Sequence, residues 1–121
     1  GIDIYFENVG GEVTRAVATL LNEGSRVPIC GFISKYNEKD MMNVETPFHV
    51  LGKLEPKPEH RFFVVTEWMD EWESATKEIL NLVSEEKILF RETITNGFEN
   101  APQALRDVLT GKNFGKQIIE I

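Results

Sequence analysis

Cysteine and histidine are scarce in this chain, which limits the kinds of site it can contain. Its 121 residues include one cysteine and two histidines, Cys30, His49 and His60. A single cysteine excludes an internal disulfide and fits a reducing compartment, so we expect a cytoplasmic protein. The three side chains do not have the spacing of a zinc site, and we expect no metal.

Positive charge and long apolar runs are also in short supply. Lys and Arg number 13 against 20 Asp and Glu, a formal net charge of −7. Nucleic acids and anionic membranes need basic patches, so neither is expected as a partner. No apolar run approaches the ~20 residues of a membrane helix, and no signal peptide is visible. With 41% hydrophobic residues, the composition fits one soluble domain or a piece of a larger protein.

Three short apolar segments predict the buried strands of an α/β fold. They are Ile2–Phe6, Arg26–Phe32 and Arg61–Val65, and their β-branched and aromatic content is typical of parallel strands. Pro28 favours an irregular or edge position for the second strand. The chain starts with Gly rather than Met and enters a strand at once, so we expect a fragment.

Apolar residues at helical spacing predict helices between these strands and after them. Val13–Leu21 predicts a helix that Gly24 ends. Residues 37–58 are irregular, with at most a short helix around Phe48–Leu54. A long amphipathic helix follows the third strand, and Asp70 with Glu73 forms a plausible capping box at its start. The apolar stripe of that helix comprises Trp72, Ala75, Ile79, Leu82 and Val83.

The pattern changes after Lys87. Phe90–Thr95 alternates as a half-exposed strand does. A helix is predicted from Asn100 to Gly111, with Pro102 in its first turn, and Lys116–Ile121 predicts a final strand. Residues 1–88 therefore have the strand–helix rhythm of a parallel sheet, whereas residues 89–121 form a separate β-α-β segment.

The carboxyl ends of the strands are the places to look for a ligand site, since open α/β sheets bind ligands there. Gly10 and Gly11 follow the first strand, and a glycine pair lets backbone approach a ligand or simply forms a tight turn. The phenol of Tyr36 can donate a hydrogen bond to a carbonyl or a cofactor hydroxyl, or pack on its own loop; both interpretations stay open. Cys30 has no recognisable base partner, which favours a small apolar role. His49 and His60 are expected to be solvated rather than catalytic.

Four motifs together resemble the zinc-independent medium-chain dehydrogenase/reductase superfamily. They are YFENVGGEV at 5–13, ICGFISKYN at 29–37, FFVV at 62–65 and GFENAPQALRDVLTGKNFGKQIIEI at 97–121. Within the superfamily they are most similar to the NADP-dependent alkenal and leukotriene/prostaglandin double-bond reductases.

The resemblance implies a fold and a domain organisation. Residues 1–88 correspond to the C-terminal part of a Rossmann nucleotide-binding domain with flanking helices. Residues 89–121 correspond to the β-α-β segment that returns to a GroES-like catalytic domain. The glycine-rich phosphate loop would then lie outside these 121 residues. We therefore expect the fragment to bind NADPH weakly and to be inactive alone.

The resemblance also implies site residues. Tyr36 is the candidate catalytic residue, as a donor to the substrate carbonyl or a clamp on the nicotinamide ribose. The residues expected to contact NADP(H) are Asn8, Cys30, Gly31, Phe32, Ile33, Ser34, Lys35, Tyr36, Phe63, Val64, Val65 and Asn113.

The implied activity is hydride transfer from NADPH to the β-carbon of an enone or enal, by a homodimer that pairs through its sheet edges. Two alternatives remain open: a quinone-reductase-type relative, and a non-catalytic assembly module. The proline-rich, charged stretch GKLEPKPEHRFF at 52–63 departs from the family pattern, so the resemblance does not extend to the substrate.

Overall fold

A computed structural model describes residues 1–40 and 42–121 and divides the chain between Glu67 and Trp68. The division coincides with a kink, since Trp68 has non-helical angles of φ −124° and ψ 34°. The sequence predicted a domain boundary near residue 88, twenty residues later. That boundary concerns the whole protein and stays a prediction.

A three-stranded parallel sheet organises the first unit. Its strands are β1 (Ile2–Ile4), β2 (Leu21–Ile29) and β3 (Glu59–Phe62). The order is β1-β2-β3, and both pairings are parallel. The predicted α/β class and parallel sheet are confirmed, and β3 lies at an edge of the described sheet.

Pro28 lies in the central strand, so the edge position was wrong, whereas β2 is irregular as predicted, because its register against β1 shifts. Its place in the ladder matches Arg61 of β3. Although proline has no N–H to donate, its carbonyl accepts a hydrogen bond from the Glu7 N–H at 2.9 Å. The residue therefore still contributes to pairing on the β1 side.

The first helix is shorter than its apolar spacing predicted. Helix α1 spans Gly11–Ala18, and the Leu20 carbonyl accepts a hydrogen bond from the Ile2 N–H at 2.7 Å. That bond starts the sheet where the helix would have continued. Gly24 does not end the helix; it lies inside β2 with φ +74°, where the β1–β2 register shifts.

A short helix and a small core support the sheet. Helix α2 spans Pro47–Leu51, as predicted for this irregular region. The ring of His49 caps it, accepting the Thr46 N–H at 3.1 Å. Leu51 packs with Val27 and Ile29 of β2 in the buried core.

The second unit holds two helices and two strands. They are α3 (Trp72–Ser84), β4 (Glu92–Asn96), α4 (Ala101–Leu109) and β5 (Lys116–Glu120). β4 and β5 pair in parallel, which matches the predicted β-α-β segment. The Asp70 capping box was wrong, because α3 begins after a 3-10 turn over Val65–Glu71 and Glu71 makes no side-chain cap.

No helix within residues 1–40 and 42–121 is long and apolar enough to cross a membrane.

Candidate functional site

The carboxyl ends of the three strands lie together along one side of the parallel sheet. The segments that leave β1, β2 and β3 there are residues 5–11, 30–36 and 63–65. Backbone hydrogen bonds join them: the Cys30 N–H donates to the Glu7 carbonyl at 2.8 Å, and the Phe63 N–H donates to the Ile29 carbonyl at 3.1 Å. We call this group of segments the strand-end site.

Glu7 holds the first of these segments. Its side chain is fully buried. Oε1 accepts the N–H groups of Val9 and Gly10 at 2.8 and 2.9 Å, and Oε2 accepts the Thr14 hydroxyl of α1. The carboxyl group thus satisfies the turn that leads into the helix.

The glycine pair after this turn makes close contacts with the second segment. Gly10 and Gly11 have φ of +79° and +61°, a region that glycine adopts without strain. A Cβ at Gly10 would lie 2.7 Å from Phe32 Cβ, and one at Gly11 would lie 3.1 Å from Ser34 Oγ. Of the two roles considered for the pair, the structure shows the tight turn, packed against the neighbouring loop.

Gly31 lies beneath the two polar side chains of most interest. A Cβ at Gly31 would lie 2.6 Å from Tyr36 Oη and 3.5 Å from Asn8 Oδ1. The Tyr36 hydroxyl accepts the Phe32 N–H at 3.3 Å, and the two rings make an edge-on contact at 5.7 Å. The structure therefore brings Asn8, Gly31 and Tyr36 together, as the predicted site requires.

The rest of the second segment is tied down through its backbone. The N–H groups of Ile33 and Ser34 donate to the carbonyls of Asn8 and Val9 at 3.2 and 2.9 Å. Lys35 Nζ lies 3.4 Å from Glu38 Oε1. Cys30 is exposed and has a free thiol, which differs from the small buried role its sequence favoured.

The third segment supplies an apolar wall and a backbone group that is already bonded. Phe63 packs edge-on against Phe6 at 5.7 Å. The Val64 N–H donates to Glu67 Oε1 at 2.9 Å, and Arg61 Nη2 donates to Glu67 Oε2 at 2.8 Å. These bonds, the Val64 bond first, hold the pKa of Glu67 below its usual range.

Asn113 belongs to the second unit. It lies between α4 and β5, where its Nδ2 donates to the Gly115 carbonyl at 2.8 Å. Its expected contact with a cofactor stays a prediction.

Two acidic residues that bond to the strand-end segments were given no role from the sequence. Glu7 and Glu67 look like ordinary acidic residues after apolar strands. The only signal was position, since each lies within a few residues of a strand end and near backbone N–H groups that need an acceptor.

The groups at the strand-end site are of the kinds that contact the ribose and nicotinamide of a dinucleotide, and these contacts stay a prediction. Asn8 and Tyr36 offer hydrogen-bonding groups, the Tyr36 hydroxyl lies against the backbone of Gly31, and Phe6 and Phe63 form an apolar wall. Among residues 1–40 and 42–121 no group of three His, Cys, Asp or Glu side chains could hold a metal ion.

Comparisons with known proteins give a consistent result. The chain is 40% identical over 124 residues to the NADPH-dependent curcumin reductase of Escherichia coli, covering 100% of this chain and 36% of that protein. It is 40% identical over 123 residues to prostaglandin reductase 1 of Sus scrofa, covering 99% and 36%. The chain therefore spans about a third of the length of these curated relatives. No protein-family model matches it.

A solved structure agrees with these relatives. The crystal structure of CurA from Vibrio vulnificus in complex with NADPH matches the chain with a TM-score of 0.83 at 38% identity. The match covers 99% of this chain and 36% of that one.

Proposed function

We propose that this chain, a member of the zinc-independent medium-chain dehydrogenase/reductase superfamily, is part of a cytoplasmic NADPH-dependent reductase of activated carbon–carbon double bonds. The observation that carries the proposal is the match, over 99% of the chain, to a structure solved with NADPH. The geometry of the strand-end site supports it, because the predicted polar residues converge beside Gly31.

The residues of the strand-end site would hold the ribose and nicotinamide. Asn8 and Tyr36 supply polar contacts, residues 30–35 supply backbone, and residues 63–65 form the apolar side. The cofactor supplies the hydride, and the protein positions it against the substrate. Asn113 is proposed as a further contact to the cofactor.

Tyr36 is the proposed donor to the substrate carbonyl. As a hydride reaches the β-carbon of an enone, the carbonyl oxygen gains negative charge, and a hydrogen-bond donor aimed at it lowers the barrier. The Tyr36 oxygen acts as acceptor in its bond with the Phe32 N–H. That bond does not use the phenol proton, which can therefore be donated to the oxygen.

Kinetics of Tyr36→Phe in the whole protein test this role. Loss of one such donor typically costs about 3 kcal/mol in the transition state, or roughly 100-fold in turnover. Tyr5→Phe is the matched control, because Tyr5 is the other tyrosine of the chain and packs against the core of Val27, Ile29 and Leu51, and it is not among the residues proposed to contact the cofactor or the substrate. Unchanged turnover of an enone in Tyr36→Phe would remove Tyr36 from the catalytic residues.

A further inference from the structure

We propose that Glu7 is a positioning residue, whose buried carboxyl group fixes the Asn8–Gly11 turn so that Asn8 faces the cofactor. The inference rests on the proposed function. Glu7 lies three residues after β1, where it pairs with Ile29 as an isolated bridge, and its exposed fraction is 0%. A carboxyl group is costly to bury, so its retention there calls for a structural or functional reason.

The side chain of Glu7 makes three hydrogen bonds. Two are from consecutive backbone N–H groups, those of Val9 and Gly10, to the same oxygen. The third is from the Thr14 hydroxyl to the other oxygen. One side chain therefore joins the turn to helix α1.

The backbone of Glu7 joins the same turn to β2. Its N–H donates to the Pro28 carbonyl at 2.9 Å. Its carbonyl accepts the N–H groups of Cys30 and Gly31 at 2.8 and 3.3 Å. Glu7 thus connects the turn to the segment that contains Gly31.

Asn8 is held between these fixed points. Its carbonyl accepts the Ile33 N–H at 3.2 Å, and its Oδ1 lies beside Gly31. Without the Glu7 carboxyl group, the N–H groups of Val9 and Gly10 lose their acceptor, and the turn must relax to reach another. A displacement of about 1 Å in a positioned group can cost roughly 100-fold in rate.

Substitutions of Glu7 can separate the effect of its side-chain length from the effect of its charge. Glu7→Gln keeps an oxygen for the two N–H groups, and its NH₂ can donate to the Thr14 hydroxyl, so the turn is preserved without the charge. Glu7→Asp keeps the charge but is one methylene too short to reach both the turn and Thr14. Leu51→Ala is the control for general destabilisation, because Leu51 is also 0% exposed.

The test is NADPH affinity in the whole protein, measured by calorimetry on variants shown to be folded by circular dichroism. We expect Glu7→Asp and Glu7→Ala to bind NADPH roughly 10- to 100-fold more weakly, the loss seen when a group that orients a metal ligand is removed. Glu7→Gln and Leu51→Ala should bind as the wild type does. Unchanged affinity in Glu7→Asp, or equal weakening in Glu7→Gln or Leu51→Ala, overturns the inference.

Amide exchange at Val9 and Gly10 supplies a second readout that does not require the cofactor. It should accelerate in Glu7→Asp and stay slow in Glu7→Gln; protection retained in Glu7→Asp overturns the inference. If the wild type binds no NADPH, the proposed function fails, while exchange still decides whether Glu7 holds the turn.

Discussion

The pKa of Tyr5 depends on the burial of its side chain and on a neighbouring carboxyl group. It follows β1, packs against the core of Val27, Ile29 and Leu51, and lies two residues before Glu7. Burial first, and the Glu7 carboxyl group second, raise the pKa of Tyr5 from 10.0 to about 12. A buried phenol beside an acidic group resists losing its proton, because the phenolate would be both desolvated and repelled.

This raised pKa predicts an alkaline limit to stability. The folded state holds the Tyr5 proton more tightly than the unfolded state, so its contribution is complete below pH 10 and is lost as the pH rises towards 12. Between these values the wild type should lose more stability than Tyr5→Phe, measured by urea unfolding. An equal loss in both proteins, or a Tyr5 titration near pH 10 by tyrosinate absorbance, would contradict the account.

At the scale of elements, the sequence predicted the type and order of the helices and strands better than the residues at which they end. The strands of both units and helices α1 to α4 occur in the predicted order. The end of α1 was missed because Leu20 and Leu21 continue its apolar spacing, and the same side chains suit a strand. Tertiary pairing decided between them: the Ile2 N–H bonds to the Leu20 carbonyl.

The connection between α4 and β5 contains two glycines that differ in the space available for a side chain. Gly111 ends α4 with φ +70° and has open space around it. The Lys112 N–H donates to the Asp107 carbonyl at 2.8 Å, the long bond of a Schellman motif. Gly115 has φ +76°, but a Cβ there would collide with the Arg91 carbonyl oxygen.

Replacing each of these two glycines by alanine should lower the free energy of unfolding by different amounts. Gly111→Ala should cost about 1 kcal/mol, because alanine disfavours the left-handed region. Gly115→Ala should cost ~3 kcal/mol or more, since the backbone of the β4–β5 pair must also shift. Urea unfolding of the two variants checks this. Equal midpoints would show that the Arg91 backbone can move aside at no cost in stability.

At the scale of the whole molecule, the sequence located the strand-end site through strand order. Parallel strands end at one edge, so Asn8, Gly31 and Tyr36 could be expected near one another. The buried bonds of Glu7 could not be foreseen, because they depend on the turn between Asn8 and Gly11. The Glu67 bond to Val64 was missed for the same reason, as it depends on the turn after β3.

The edge position of β3 predicts assembly. Phe62, the last residue of β3, and Val64 and Val65, which follow the strand, are 46–57% exposed. An exposed apolar edge favours pairing with another strand. We propose a homodimer joined there about a two-fold axis. Val64→Lys should shift the whole protein towards monomer in sedimentation experiments, whereas Leu89→Lys, a matched change at a residue 86% exposed, should not. A wild-type monomer at high concentration would rule the dimer out.

Isotope transfer tests most directly whether the whole protein reduces an activated double bond by hydride transfer, as proposed. The whole protein is given an enone and NADPH that carries deuterium at the transferable position. We expect one deuterium on the β-carbon of the saturated ketone for each NADP⁺ formed, with the α-hydrogen taken from solvent. Deuterium on the carbonyl carbon of an alcohol, oxidation of NADPH by quinones alone, or no oxidation of NADPH would contradict it.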